Sequence, residues 1–268
     1  MQENSLLRIG KIRYLNMYPV FCVLEKSMGG QSYEIIPGVP SLLNRMVRSG
    51  AVDVSPSSSI EYLRNPDLYT LLDNHSISST GPVGSIILFS RVPVHALYGA
   101  SVLTSTQSET SVVLLDVLLK KFLKLNCSLV PSSEPLEHGL DHDNQACLLI
   151  GDDALHEAKR NSDLYHYDLG QMWHEFTGLP FVYALWICNS EVCAHKEEAL
   201  KRFQKELNMA KNYIKNNLTE IADCLGTHPF LTLEEIVSFW QGISYDFTEI
   251  HKKGLELFRK YAQELGHI

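Results

Sequence analysis

Short apolar runs alternate with helical patterns through the first half of the chain. Leu6 to Ile12 predicts a strand, and Asn16 follows it just ahead of a helix with Pro19 in its first turn, where proline is tolerated. Tyr33 to Ile36 predicts a second strand. Pro40 opens a helix whose apolar stripe carries Leu42, Leu43, Met46 and Val47, and Gly50 ends it. Val52 to Val54 predicts a third strand, which runs through Ser55-Pro56-Ser57-Ser58-Ser59 into a helix reaching Tyr62. Tyr69 to Leu72 predicts a fourth. Strands separated by helices in this order predict a mostly parallel sheet covered by helices.

Four later runs, Ser85 to Ser90, Ser101 to Thr104, Ala146 to Ile150 and Phe181 to Ile187, are continuously apolar and predict buried strands. Thr106-Gln107-Ser108-Glu109 has the spacing of a capping box and predicts a helix over 108–124 with Val112, Leu115, Leu119 and Phe122 on one face. Pro131 to Gln145 is polar and predicts a loop. From His195 the pattern is helical: Lys196 to Lys215, a second capping box at Thr232-Leu233-Glu234-Glu235, and a final helix from Thr248 to Leu265. The strands Gly84–Ser90 and Phe181–Ile187 are placed to cross between two α/β lobes. Residues 1–90 and 183–268 would form one lobe and 91–182 the other; a single doubly wound domain is the alternative. In such sheets ligands gather at the carboxyl ends of strands, where Asn16, Ser57, Ser58, Thr110 and Gly151-Asp152 fall.

Composition narrows the function classes. The 268 residues are 45% apolar and 20% charged, enough to bury a real core. A formal net charge of -8 weighs against non-specific nucleic-acid binding, which rests on basic contacts to phosphate. It leaves room for a small anion, because helix N-termini bind anions without a basic surface. The start, Met1-Gln2-Glu3-Asn4-Ser5, lacks the order of basic, apolar and small residues that marks a secretion signal. No apolar run reaches the ~18 residues of a membrane span. A cytoplasmic protein is therefore expected. Cys22, Cys127, Cys147, Cys188, Cys193 and Cys224 form no C-x-x-C pair and are read as reduced thiols. The chain contains no G-x-G-x-x-G, P-loop, H-E-x-x-H or G-x-S-x-G motif. His138 and His142 are four apart but sit in the polar stretch, and are read as solvated rather than as metal ligands.

Three segments stand out. Ile9 to Pro19 puts the Asn16 amide between a strand and a helix, where it is either an N-cap or a ligand group. Asp53 to Tyr62 clusters serine hydroxyls at a strand-to-helix junction, suited either to capping or to holding a carboxylate. Ser78 to Ile86 joins a Gly81-Pro82 turn to Ser85 at the mouth of a buried strand, where a hydroxyl needs a hydrogen-bond partner.

Taken in order, Ile-Gly-x-Ile-x-Tyr-Leu-Asn-x-x-Pro from Ile9, Asp-Val-x-Pro-Ser-Ser-x-Ile-Glu-Tyr from Asp53 and Gly-Pro-Val-x-Ser-Ile from Gly81 resemble the chorismate dehydratases that open the futalosine route to menaquinone. Thr110-Ser111, Leu149 to Leu155, Tyr167 to Gly170 and Thr177 to Val182 extend the likeness over nearly the whole chain. The resemblance implies a two-lobed α/β periplasmic-binding-protein type II fold with a ligand cleft between lobes. It implies loss of water from chorismate to give 3-[(1-carboxyvinyl)oxy]benzoate, with no metal or organic cofactor and with chorismate as the partner rather than nucleic acid or membrane. Asn16 and Ser85 fall where the family has its key asparagine and serine. Ser57, Ser58, Thr110, Ser111, Gly151 and Asp152 are the expected substrate-binding residues, although Asp152 also suits a helix N-cap. The related 1,4-dihydroxy-6-naphthoate synthases have an Ile-Ile-His-Glu pattern where this chain reads Ile150-Gly151-Asp152, which favours the dehydratase. A non-enzymatic solute-binding protein of the same fold is a further alternative, and it would need export.

Overall fold

The structure is a computed structural model and describes residues 6–27, 33–140 and 143–268. In chain order the elements are β1 Leu7–Ile12, α1 Tyr18–Ser27, β2 Tyr33–Gly38, α2 Pro40–Arg48, β3 Val54–Ser58, α3 Ser59–Arg64, β4 Tyr69–Ser79, β5 Ile86–Ser90, β6 Ser101–Ser105 and α4 Glu109–Val117. They continue with β7 Ser128–Ser132, α5 Leu136–Gly139, β8 Asn144–Ile150, α6 Gly151–Arg160, β9 Tyr165–Asp168, α7 Leu169–Thr177 and β10 Phe181–Asn189. The C-terminal elements are α8 Ser190–His195, α9 Glu197–Ile214, α10 Leu218–Leu225, α11 Leu233–Gln241, β11 Ser244–Asp246 and α12 Glu249–Glu264. Two sheets result, ordered β11-β4-β10-β3-β1-β2 and β7-β6-β8-β5-β9.

The chain divides into two compact units, Met1–Ser76 with Ala184–Gln241 and Ile77–Tyr183 with Gly242–Ile268. These limits differ from the expected 90 and 182. The strands whose residues are shared between units are β4 and β10, not the expected Gly84–Ser90, since β5 lies wholly in the second unit. The last helix also belongs to the second unit rather than the first. Its Phe258 meets Phe181 and Trp173 at ring-centroid distances of 4.9 and 6.3 Å. Lys121 bonds Glu264 at 2.6 Å, and His267 meets Asp116 at 2.7 Å.

In the first unit β1 pairs in parallel with β2 and β3, as strand–helix–strand connections require, while β10 runs antiparallel to β3. Leu7, Ile9 and Val54 are fully buried, and Trp186 packs between Phe21 and Phe203. Two buried carboxylates are compensated here. Asp53 accepts from the Arg8 side chain and backbone and from Lys196, at 2.6, 2.7 and 2.6 Å. Glu61 binds Arg48 and accepts from the Tyr69 hydroxyl at 2.5 Å.

In the second unit β6 is parallel to β7 and β8, whereas β5 is antiparallel to β8 and β9. The polar stretch after Pro131 is not wholly a loop. It contains α5, and Leu136 and Leu140, one helical turn apart, are buried against Phe89, Leu103 and Cys147. The expected capping box at Thr106 is displaced: Ser108 is the N-cap of α4 and accepts from Ser111 N. The box at Thr232 forms reciprocally, with Thr232 N donating to Glu235 and Glu235 N to Thr232 Oγ1. Cys188 and Cys193 are joined as a disulfide, against the expectation of reduced thiols. The turn into α8 brings their Cα atoms to 6.4 Å, within disulfide reach. Of the two histidines in the polar stretch, His138 is exposed on α5 and His142 lies outside the described residues. Among the described residues no helix is long and apolar enough to cross a membrane.

Candidate active site

In the first unit the candidates lie at the carboxyl ends of two neighbouring strands, β1 and β3. Because β1 and β3 are parallel neighbours, the turn after β1 and the end of β3 face the same way. Asn16 sits half-buried inside a short 3₁₀ turn, Leu15–Met17, that runs directly into α1. It is not the N-cap, since that position belongs to Tyr14. The turn is held from behind: Trp240 Nε1 donates to Leu15 O at 2.8 Å, and its indole stacks on Tyr18 at 5.9 Å. Ser57 and Ser58 end β3. Ser57 is fully buried, and its Oγ has no hydrogen-bond partner among the described residues. An unmatched buried hydroxyl costs on the order of 1–3 kcal/mol until something bonds it. Ser58 is taken up structurally instead: Asn44 Nδ2 donates to its Oγ at 2.7 Å, and its N–H donates to Asn44 Oδ1 at 3.2 Å. Asn44, buried on α2, went unnoticed in the sequence because its neighbours read as an apolar helix face.

In the second unit the strand directions put five further candidates at one end of the strands β5, β6 and β8. The start of β5 lies beside the end of β8, with Ile86 opposite Ile150. Ser85 is buried, and its carbonyl accepts from Gly151 N at 2.7 Å. Gly151 has φ +63°, which favours glycine, and its N–H is committed to Ser85. Asp152 is not an N-cap either. Ile150 holds that position, and Asp152 lies in the first turn of α6. Thr110 and Ser111 are buried in the first turn of α4, and the Ser111 hydroxyl lies 3.0 Å from Ser108 Oγ. A recess of about 250 Å³ lies in this unit, lined in part by Thr106, Gln107, Ile150, Asp153 and Glu157. None of the expected residues lines it, and its carboxylates do not suit a dianion.

Sequence reasoning placed Asp168 in a family-like motif, Tyr167 to Gly170, but gave it no role. It caps α7 by accepting from Gln171 N at 3.0 Å. It also accepts from Val83 N at 3.0 Å and from Gly84 N at 2.6 Å. The same carboxylate therefore holds the segment that delivers Ser85. Burial pushes this carboxyl above the usual carboxylate range, against the pull of the donating backbone N–H groups. The segment is held again at Gly81, whose carbonyl accepts from Ser79 Oγ at 2.9 Å, with the Tyr183 hydroxyl 2.9 Å from that same Oγ. Gly170 explains the third residue of Asp168-Leu169-Gly170. A Cβ there would lie 2.7 Å from Gly81 O and 2.8 Å from Ser79 Oγ. Gly170→Ala is expected to destabilise the chain by about 1–3 kcal/mol through overpacking, read as a lower urea midpoint. An unchanged midpoint would show that the approach is not tight.

A family model described as menaquinone biosynthesis matches residues 7–264. A chorismate dehydratase of Thermus thermophilus is 30% identical over 96% of this chain and 94% of its own length. One from Campylobacter jejuni is 29% identical over 80% of this chain and 81% of its own. Among solved structures, a protein of Archaeoglobus fulgidus superposes with TM-score 0.80 at 17% identity over the whole of both chains. A Candida albicans protein described as having the generic periplasmic-binding-protein fold superposes with TM-score 0.72 at 11% identity, over 98% of this chain and 91% of that one. The fold is thus the α/β, two-sheet periplasmic-binding-protein type.

Proposed function

This chain belongs to the menaquinone-biosynthesis family, and we propose that within it the chain is a chorismate dehydratase, a hydro-lyase that removes water from chorismate to give 3-[(1-carboxyvinyl)oxy]benzoate. The observation that carries this reading is the full-length likeness to a chorismate dehydratase at 30% identity. The reading places the enzyme in the cytoplasm.

The chemistry asks for few strong acids or bases. The ring carbon bearing the ether loses its proton, the neighbouring hydroxyl leaves as water, and the ring becomes aromatic. Aromatisation supplies the driving force, so the protein's part is positioning and charge stabilisation. The ring carboxylate is conjugated with the carbon that loses its proton, and charge developing there flows into it. In this reading Ser85 and Asn16 hold carboxylate oxygens and stabilise that charge. Ser57, with its buried unmatched hydroxyl, and Ser58, Thr110 and Ser111 anchor the carboxylates, and Gly151 and Asp152 shape the seat beside Ser85. The proton acceptor is the substrate's own enolpyruvyl carboxylate, in keeping with motifs that carry no histidine.

The reading is tested by offering the purified chain chorismate and, separately, cyclic dehypoxanthine futalosine. Consumption of chorismate alone is expected. Consumption of the futalosine derivative would assign the chain to the synthase reaction, and binding without turnover of either would make it a solute-binding protein.

A further inference from the structure

We propose that Asp168 is a positioning residue for the dehydration, holding the Gly81–Ser85 segment so that the Ser85 hydroxyl is aimed before substrate arrives. The inference rests on the proposed role of Ser85. It also accounts for a motif, Asp168-Leu169-Gly170, that the chemistry itself leaves unused.

Backbone N–H groups from two separate stretches converge on this one carboxylate. Gln171 N belongs to the first turn of α7, which any good N-cap would satisfy. Val83 N and Gly84 N belong to the segment before β5, more than eighty residues away in sequence. Val83 N lies 3.0 Å from both carboxylate oxygens, and Gly84 N lies 2.6 Å from Oδ2. Bonds to an ionised acceptor are short and about twice as strong as neutral ones. Ser85 is the next residue, and its own carbonyl is fixed by Gly151 N. Its backbone is therefore held on both sides, by the bonds to residues 83 and 84 before it and by its own carbonyl. Tyr183 is the titratable neighbour of the carboxylate. Its phenol is held well above its ordinary range by burial and then by the Asp168 charge, so it stays neutral beside it. A shift of about 1 Å in a reacting group can cost about a hundredfold in rate. An anchor of this kind acts on turnover rather than on affinity.

Capping and positioning can be separated. Asp168→Ser keeps a side chain that caps α7 but is too short to reach residues 83 and 84. Asp168→Asn keeps the length but turns one oxygen into a donor facing N–H groups. Each is expected to lower kcat on chorismate about tenfold or more, with KM within about threefold. The deciding readout is a cycle with Ser85→Ala. If Asp168 acts through Ser85, adding Asp168→Ser to Ser85→Ala lowers kcat no further than Ser85→Ala alone. The same fold-loss in both backgrounds would overturn the proposal, since a merely structural role would cost both equally. Should Asp168→Ser not fold, Asp168→Asn takes its place in the cycle. A Ser85→Ala variant with the parent's kcat would instead overturn the role of Ser85 itself, a separately recognisable failure.

Discussion

Replacing Ser85 by alanine lowers turnover on chorismate by about a hundredfold or more while the chain stays folded. The size follows from losing one donor aimed at developing charge, which is worth roughly 10²–10³ in turnover where the site excludes water. The side chain sits in a buried environment, at 2% exposure, where a donor is stronger than in solvent. The local backbone should survive the change, because the Ser85 carbonyl still accepts from Gly151 and residues 83 and 84 still bond Asp168. Asn16→Ala is expected to show a loss of the same order, since its turn stays secured by Trp240 and loses only the amide. Steady-state kinetics on both variants, beside their urea unfolding curves, checks this. Parent rates in both would remove the two residues from the mechanism.

Replacing Asp53 by alanine is expected to cost about 3–5 kcal/mol, the largest stability effect predicted here. Asp53 is fully buried, and removing it strands the cations that meet it: Arg8 loses its carboxylate at 2.6 Å and Lys196 loses its own at 2.6 Å. The backbone N–H of Arg8, in the middle of β1, loses its acceptor as well. Burial alone would raise the Asp53 carboxyl, but the bonds from Arg8 and Lys196 outweigh it and hold the group below the usual carboxylate range. The sign of the pH dependence follows. A carboxyl that is more acidic folded than unfolded contributes stability that is complete above its unfolded value, about 3.9, and is lost as pH falls through the folded value. The parent should therefore lose stability on acidification below about pH 4 by a margin the alanine variant lacks. Equilibrium unfolding of both proteins at neutral and at acid pH measures it. Parallel losses in the two would show that Asp53 does not carry the linkage.

What could be read in advance was what hydrophobic periodicity records. The strands at Leu7, Val54, Ile86 and Ala146 and the amphipathic helix α9 follow from apolar spacing, and the second capping box follows from side-chain chemistry three residues apart. The failures share a cause. β4 continues to Ser79 through Ser76, Ser78 and Ser79, all buried, so its inner half is invisible to a pattern of apolar residues. The Ser78 hydroxyl donates to Ser244 O far along the chain, and the Ser79 hydroxyl donates to nearby Gly81 O and lies 2.9 Å from the distant Tyr183 hydroxyl. The antiparallel course of β5 depends on the Gly81–Ser85 segment, whose direction is fixed by a carboxylate from Asp168 far along the chain. Candidate residues were found where a polar group interrupts a strand-to-helix junction, as at Asn16 and Ser57, or opens a buried strand, as at Ser85. The roles of Trp240 and Asp168, which hold the Asn16 turn and the segment before Ser85, were not legible because each acts across a long sequence separation.

The most direct test is to incubate the purified chain with chorismate and follow the product by ultraviolet absorbance and mass spectrometry. The account predicts an aromatic compound lighter than chorismate by one water, formed at a rate proportional to the amount of protein and lowered by Ser85→Ala. Chorismate recovered unchanged from folded protein, or converted to a product that has not lost water, would contradict it.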